Sequence, residues 1–156
     1  MQCESHAPIQ PDAAAVIDCM SEQNKALVRR LIDEAQSQGK LDVVDELLAE
    51  DFVDHTPLPG VPPTRAGVKM LFGYLRSAFP DLHVHVQEQI AEGDKVMTRK
   101  VFAGTHRGEF MGAPPTSRPV SFEVIDILTL RDGKIAEHRL IVDQLSLQQQ
   151  LAQDQA

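Results

Sequence analysis

An α+β fold, with N-terminal helices packed against one face of a curved antiparallel sheet, is what this sequence predicts, and three observations carry it. Apolar residues recur at helical spacing early in the chain, alternate with polar ones later, and the alternating runs are joined by tight-turn signals. Helices first and a β meander second is the order expected when helices gather on one face of a sheet.

The first helical run carries Ala26, Leu27, Leu31, Ile32 and Ala35 on one stripe. With Ser21 as N-cap and Gly39 as stop, it is predicted over residues 22–38. A short second helix follows from Leu41, Val44, Leu47 and Leu48, with Asp42 and Asp45 in its early turns, where the helix dipole favours anions. The words AEDFVDHTPLPGVPPT give a brief extended piece and then a loop, since Pro57, Pro59, Pro62 and Pro63 forbid a continuing helix. Val68, Leu71, Phe72 and Leu75 mark a third helix over 65–78, stopped by Phe79 and Pro80. Two hairpins complete the chain. The first turns at Glu92, Gly93 and Asp94, and the second at Asp132 and Gly133, a pair suited to a two-residue turn.

At 156 residues the chain fits one domain able to bury its own core, here built from aliphatic side chains and six Phe with no Trp. Residues 1–20 have neither a basic start nor a continuous apolar run, so they are expected to be a flexible leader preceding a single domain over 21–152. Cys3 and Cys19, the only thiols, fall in that leader; reduced thiols in a cytoplasmic protein are expected, with a disulfide between them as the alternative. A net charge of −8 opposes binding to nucleic acid, whose affinity comes mainly from Lys and Arg on phosphates. No stretch approaches the ~20 apolar residues of a bilayer span, so no membrane partner is expected. His83 and His85 put two imidazoles on one strand face, but no third metal ligand accompanies them, and with Gln87 and Gln89 continuing that face a solvated stripe is expected.

The loop GTHRGEFMGAPPTSRP between two strands is the most specific word in the chain. Together with GKLDVVDELLAEDFVDH, AFPDLHV, AEGDKV and DGKIAEHRLIVDQL, in this order, it resembles the SnoaL-like polyketide cyclases over about residues 24–151. That family lies within the nuclear-transport-factor-like cone folds. The resemblance implies a cone-shaped α+β barrel with an apolar cavity, no cofactor or metal, a small hydrophobic carbonyl compound as ligand, and a homodimer formed through the outer face of the sheet.

Strand parity locates the cavity face. Phe122, Val124, Asp126, Leu128 and Leu130 share one side of their strand, which leaves Asp126 a lone carboxylate among apolar neighbours. Such a group is costly to bury without a partner and is therefore a candidate for function, the alternative being an Asp bonded to a neighbouring His or Arg in the core. On the last strand Ala136, His138, Leu140 and Val142 share a face, and the resemblance turns His138 toward the pocket near Asp126. An acid and an imidazole side by side suit proton transfer in enolisation or aldol-type chemistry. The acid/base Asp of the named cyclases falls two residues after that histidine, where this chain has Leu140. Catalytic candidates are therefore Asp126, His138, Asp54 and His55, with His106, Phe122, Val124, Leu140 and Asp143 as substrate-binding candidates. Thr105 and His106 also read as loop anchors, and Asp143 as an anchor for the C-terminal turn. Two functions follow: a cofactor-independent enzyme acting by acid/base chemistry, or a binding module of the same shape without turnover.

Overall fold

The structure, a computed structural model, describes residues 12–152. Helix α1 (Ala13–Arg30) continues directly into a π-helical stretch, Leu31–Ser37, followed by α2 (Asp42–Leu47) and strand β1 (Leu48–Asp54). Helix α3 (Arg65–Ala78) precedes strands β2 (His83–Glu92), β3 (Lys95–Thr105), β4 (Pro119–Arg131) and β5 (Lys134–Val142), and α4 (Gln144–Ala152) closes the described chain. The five strands form one sheet in the order β1-β5-β4-β3-β2. The predicted α+β class is the one observed.

The sheet itself corrects the all-antiparallel expectation. Strand β1, seen in the sequence only as a brief extended piece, joins the sheet edge parallel to β5, pairing Val53 with Glu137 and Asp54 with His138. Pairing of this kind spans most of the chain and leaves no local turn signal. The two hairpins are as expected, and Asp132 and Gly133 both take positive φ, 53° and 72°, as a type I′ turn requires.

Helix α1 begins before the predicted start. Asp12 caps it, its side chain accepting from the Ala14 amide at 3.3 Å, and Ala13 to Ala15 are strong helix formers. The residues of this first part are mostly exposed, so no apolar stripe announced it. The expected leader thus contains helix from Ala13 on, while its first eleven residues lie outside the described chain. Cys19 is disulfide-bonded, which corrects the expectation of reduced thiols; Cys3 lies outside the described residues. No described helix is long and apolar enough to cross a membrane.

The core lies between the helices and the concave sheet face. Val28, Ile32, Val44 and Leu75 from the helices meet Val96, Phe102, Phe122, Val124 and Leu128 from the strands. Phe102 and Phe122, paired across β3 and β4, stack with ring centroids 5.3 Å apart. The loop after β3 folds back over the end of α3: the Arg107 and Gly108 amides both donate to the Ala78 carbonyl, and the Met111 amide donates to the Tyr74 hydroxyl at 2.8 Å.

Bulges set which residues reach the interior. In β2 the register shifts between Val86 and Glu88, so Gln87 is an extra residue and the alternation inverts beyond it. His83 and His85 are exposed as expected, but Gln89 turns inward to Thr98 and the Lys25 carbonyl while Ile90 turns out. Gln89 therefore does not continue the histidine face. Among the described residues no group of three His, Cys, Asp or Glu is placed to hold a metal. In β5 a second shift, opposite Thr129 and Leu130, brings Ile135 into the cavity on the same side as His138.

Candidate active site

An apolar cavity of about 160 Å³ opens between α3, the loop after β3 and the concave sheet. This is close to the roughly 150 Å³ that holds a benzene ring in an apolar protein interior. Its walls are mainly Phe52, Leu71, Phe72, Phe110, Phe122 and Leu140. Phe110 and Met111 come from the specific loop identified in the sequence, which explains what that loop shapes. Against this lining stand a few polar groups: Asp54, Lys100, Asp126, His138, Gln36, Thr56 and Gln144.

The alternation of β4 puts Asp126 inside, 3% exposed, as the sequence reading required. Its Oδ2 accepts a 2.5 Å hydrogen bond from Lys100 Nζ, and the same ammonium donates to Gln36 Oε1 at 3.2 Å. Lys100 itself is 1% exposed. Asp126 is therefore not a lone acid but half of a buried ion pair, and the partner is neither the His nor the Arg considered from sequence. His138 Nε2 stands 3.9 Å from Asp126 Oδ2, near it but beyond hydrogen-bond reach.

His138 is instead held by Asp54. The parallel pairing of β1 and β5 sets these two residues opposite each other, and His138 Nδ1 lies 3.1 Å from Asp54 Oδ1. Thr56 fixes that carboxylate through its amide at 2.9 Å and its hydroxyl at 3.3 Å, and the hydroxyl in turn accepts from the Leu140 amide. Burial is the largest influence on Asp54 and pushes its pKa up, but the bonds and charge of His138 and the bonds of Thr56 together outweigh it, leaving the carboxyl below its ordinary 3.8. An ionised Asp54 has no proton to donate, so Nδ1 of His138 carries the hydrogen and Nε2 faces the cavity.

A pH effect follows from the sign of that shift. A carboxyl held below its unfolded value adds stability that is fully present above the unfolded value and is lost as pH falls through the folded one. In urea titrations the stability gap between wild type and Asp54→Asn is expected to be constant near pH 5 and to shrink as pH drops below about 3.8. A gap unchanged through acid pH would show that Asp54 gains nothing from its partners.

Three candidates are corrected. His55 points away from the cavity, because alternation on β1 sends it opposite to Asp54, and its Nε2 pairs with Glu137 at 3.0 Å. His106 is fully buried outside the cavity, with Nδ1 near Thr116 Oγ1 at 3.2 Å and its ring against Phe79. Desolvation lowers its pKa, and it serves the loop. Asp143 is exposed and caps α4, accepting from the Ser146 amide at 3.1 Å. Phe122, Val124 and Leu140 do line the cavity.

Lys100 and Gln36 escaped the sequence reading. Lys100 shares the parity of Val96, Thr98 and Phe102, all buried, so counting along β3 would have found it. Gln36 gave no such signal, because its inward direction comes from the π-helical turn.

Helices on a curved sheet, over an apolar hollow lined by two buried acids and an imidazole, form a pocket of small-molecule size. The family model for SnoaL-like polyketide cyclase matches residues 26–151, and the chain belongs to that family. It is 32% identical over 130 residues to the aklanonic acid methyl ester cyclase DnrD of Streptomyces peucetius, covering 81% of this chain and 89% of that protein. It is likewise 32% identical over 107 residues to the nogalonic acid methyl ester cyclase of Streptomyces nogalater, covering 67% and 80%. Among solved structures, IdmH from Streptomyces antibioticus superposes with a TM-score of 0.73 at 37% identity, covering 83% of this chain and 98% of that one. TsrD from Streptomyces laurentii gives 0.76 at 26% identity, covering 92% and 98%.

Proposed function

We propose that the protein is a cofactor-independent enzyme that closes a ring in a small, largely apolar polyketide-type carbonyl compound by an aldol-type step. The observation that carries this reading is the contact of His138, half-buried in the cavity wall, with the buried Asp54, which leaves His138 Nε2 on the side of an apolar cavity. His138 would remove a proton from the carbon beside the ketone, the resulting enolate carbon would attack a second carbonyl of the same molecule, and the proton would return to the new alkoxide. One C–H bond and one C=O π bond are lost, while one C–C and one O–H bond form, with no change in oxidation state. This route also accounts for Leu140: the base stands two residues earlier on the strand and is held by an acid from β1.

A small hydrophobic molecule and a second copy of the chain are the partners in this reading. Ile125, Ile127 and Ile141, all exposed on the outer face of the sheet, support the second. The cytoplasmic setting expected from the sequence is left out of the proposal, because a disulfide at Cys19 removes one of its supports.

Proton removal can be tested without the natural substrate. A single-ring ketone such as 3-methylcyclohexanone, first shown by titration to bind, is expected to exchange its α-protons in heavy water faster with protein than with buffer alone, as followed by proton NMR. Exchange at the buffer rate from a bound ketone would reject the enzyme and leave the binding module.

A further inference from the structure

We infer that the Lys100–Asp126 pair at the cavity wall is a recognition site for a β-hydroxy ketone, the ketone oxygen taking a hydrogen bond from Lys100 and the hydroxyl giving one to Asp126. The inference rests on the reading of this cavity as a carbonyl-ligand site and adds the pattern of oxygens that it selects. Lys100 has three N–H donors, of which two are used, on Asp126 Oδ2 and Gln36 Oε1. The third has no hydrogen-bond acceptor among the described residues. Asp126 Oδ1 is buried with no hydrogen-bond partner among them either.

Native interiors rarely leave a buried carboxylate oxygen unbonded, since each such group costs free energy that folding must cover. Here an unused donor and an unused acceptor belong to two side chains joined at 2.5 Å, and both residues line the cavity. A ligand matching both must offer an acceptor and a donor close together, best met when each sits on its own oxygen. A ketone with a hydroxyl two carbons away gives each group its own oxygen, whereas a simple ketone satisfies only Lys100 and a simple alcohol must serve both groups with one oxygen, accepting from Lys100 while donating to Asp126. The surrounding Leu, Phe and Val side chains supply no polar atom, and of the other polar groups on the wall His138 comes near, with Nε2 3.9 Å from Asp126 Oδ2.

The pair selects rather than merely attracts. A site with buried polar groups rejects analogues that leave those groups unpaired far more strongly than an apolar pocket rejects a missing methyl. Charge reinforces this, because hydrogen bonds to an ammonium or a carboxylate are about twice as strong as neutral ones.

The test is an equilibrium titration, followed by calorimetry or protein NMR, of four ligands of nearly equal size: 3-hydroxycyclohexanone, 3-methylcyclohexanone, 3-methylcyclohexanol and methylcyclohexane. Wild type is expected to bind the hydroxy ketone about tenfold or more tighter than either singly oxygenated analogue. Lys100→Met alone risks misfolding, so the informative variant is Lys100→Met with Asp126→Leu, which removes both charges and should reverse the order in favour of the methyl compounds. Equal affinities in wild type, no binding of the hydroxy ketone, or a preference that survives in the double variant would each overturn the assignment. Proton exchange reads the catalytic proposal separately: a selective site without exchange defeats only that proposal, and exchange without selectivity defeats only this one.

Discussion

Replacing His138 with Gln is expected to slow α-proton exchange by about 10²- to 10⁴-fold, the usual contribution of a positioned acid/base group. Glutamine keeps a polar side chain of similar reach but cannot take a proton from carbon. Asp54→Asn is expected to fall in the same direction for a different reason. Its side chain keeps the size of the carboxylate but adds a donor, and a donor facing Nδ1 favours the tautomer with the hydrogen on Nε2, so the lone pair is lost from the cavity side. The two variants should therefore share a loss in the rate of bound ketone with little change in its binding, and combining them should cost little more than the worse of the two, as for residues that act as one unit. NMR exchange rates at saturating ketone check this. A His138→Gln protein that exchanges within a factor of a few of wild type would remove the imidazole from the chemistry and return attention to Asp126.

Lys100→Met should be the most damaging single change to stability, by about 3 to 5 kcal/mol in urea denaturation, because it strands a buried carboxylate. Asp126 would lose the one hydrogen bond that its Oδ2 accepts, and Gln36 Oε1 would lose its donor. The double change to Met and Leu puts apolar side chains into a cavity already lined by Phe102, Phe122 and Val124. Buried ion pairs replaced whole by apolar residues are often neutral or better, so the double variant is expected to recover most of the loss. A single variant weakened by no more than about 1 kcal/mol would mean that the pair is solvated and is not the closed element described above. Should the double variant remain as unstable as the single one, the cost would lie in packing and not in charge.

The inward faces of β4 and of the first half of β2 were legible because period-two alternation survives wherever a strand has one wet face and one dry one. Phe122, Val124, Asp126, Leu128 and Leu130 were read correctly on that basis, as were the limits of α3. Bulges defeated the same rule. One extra residue, Gln87, exchanged the faces of Gln89 and Ile90, and nothing in the local composition marks it. The candidate site was legible in part. Asp126, His138 and Asp54 were named, yet the pairing was not, because a strand order that brings β1 beside β5 is decided by the packing of the whole sheet. Reading Asp126 against His138 followed from their neighbouring strands; the actual partner of each came from the opposite side, Lys100 across β3 and Asp54 across β1. The histidines outside the cavity were overvalued for a simpler reason: residue type alone does not distinguish a ring that braces a loop from one that meets a ligand.

The parallel seam between β1 and β5 ties the proposed proton transfer to completion of the sheet. The groups proposed to move a proton are separated by most of the chain and meet only when the first strand docks on the last. A nascent or partly collapsed chain can hold the hairpins, since their contacts are local, and still have no competent base, because His138 lacks its orienting acid. On the proposed mechanism a competent base exists only once β1 has docked on β5, so an incomplete molecule would not act on reactive carbonyl compounds.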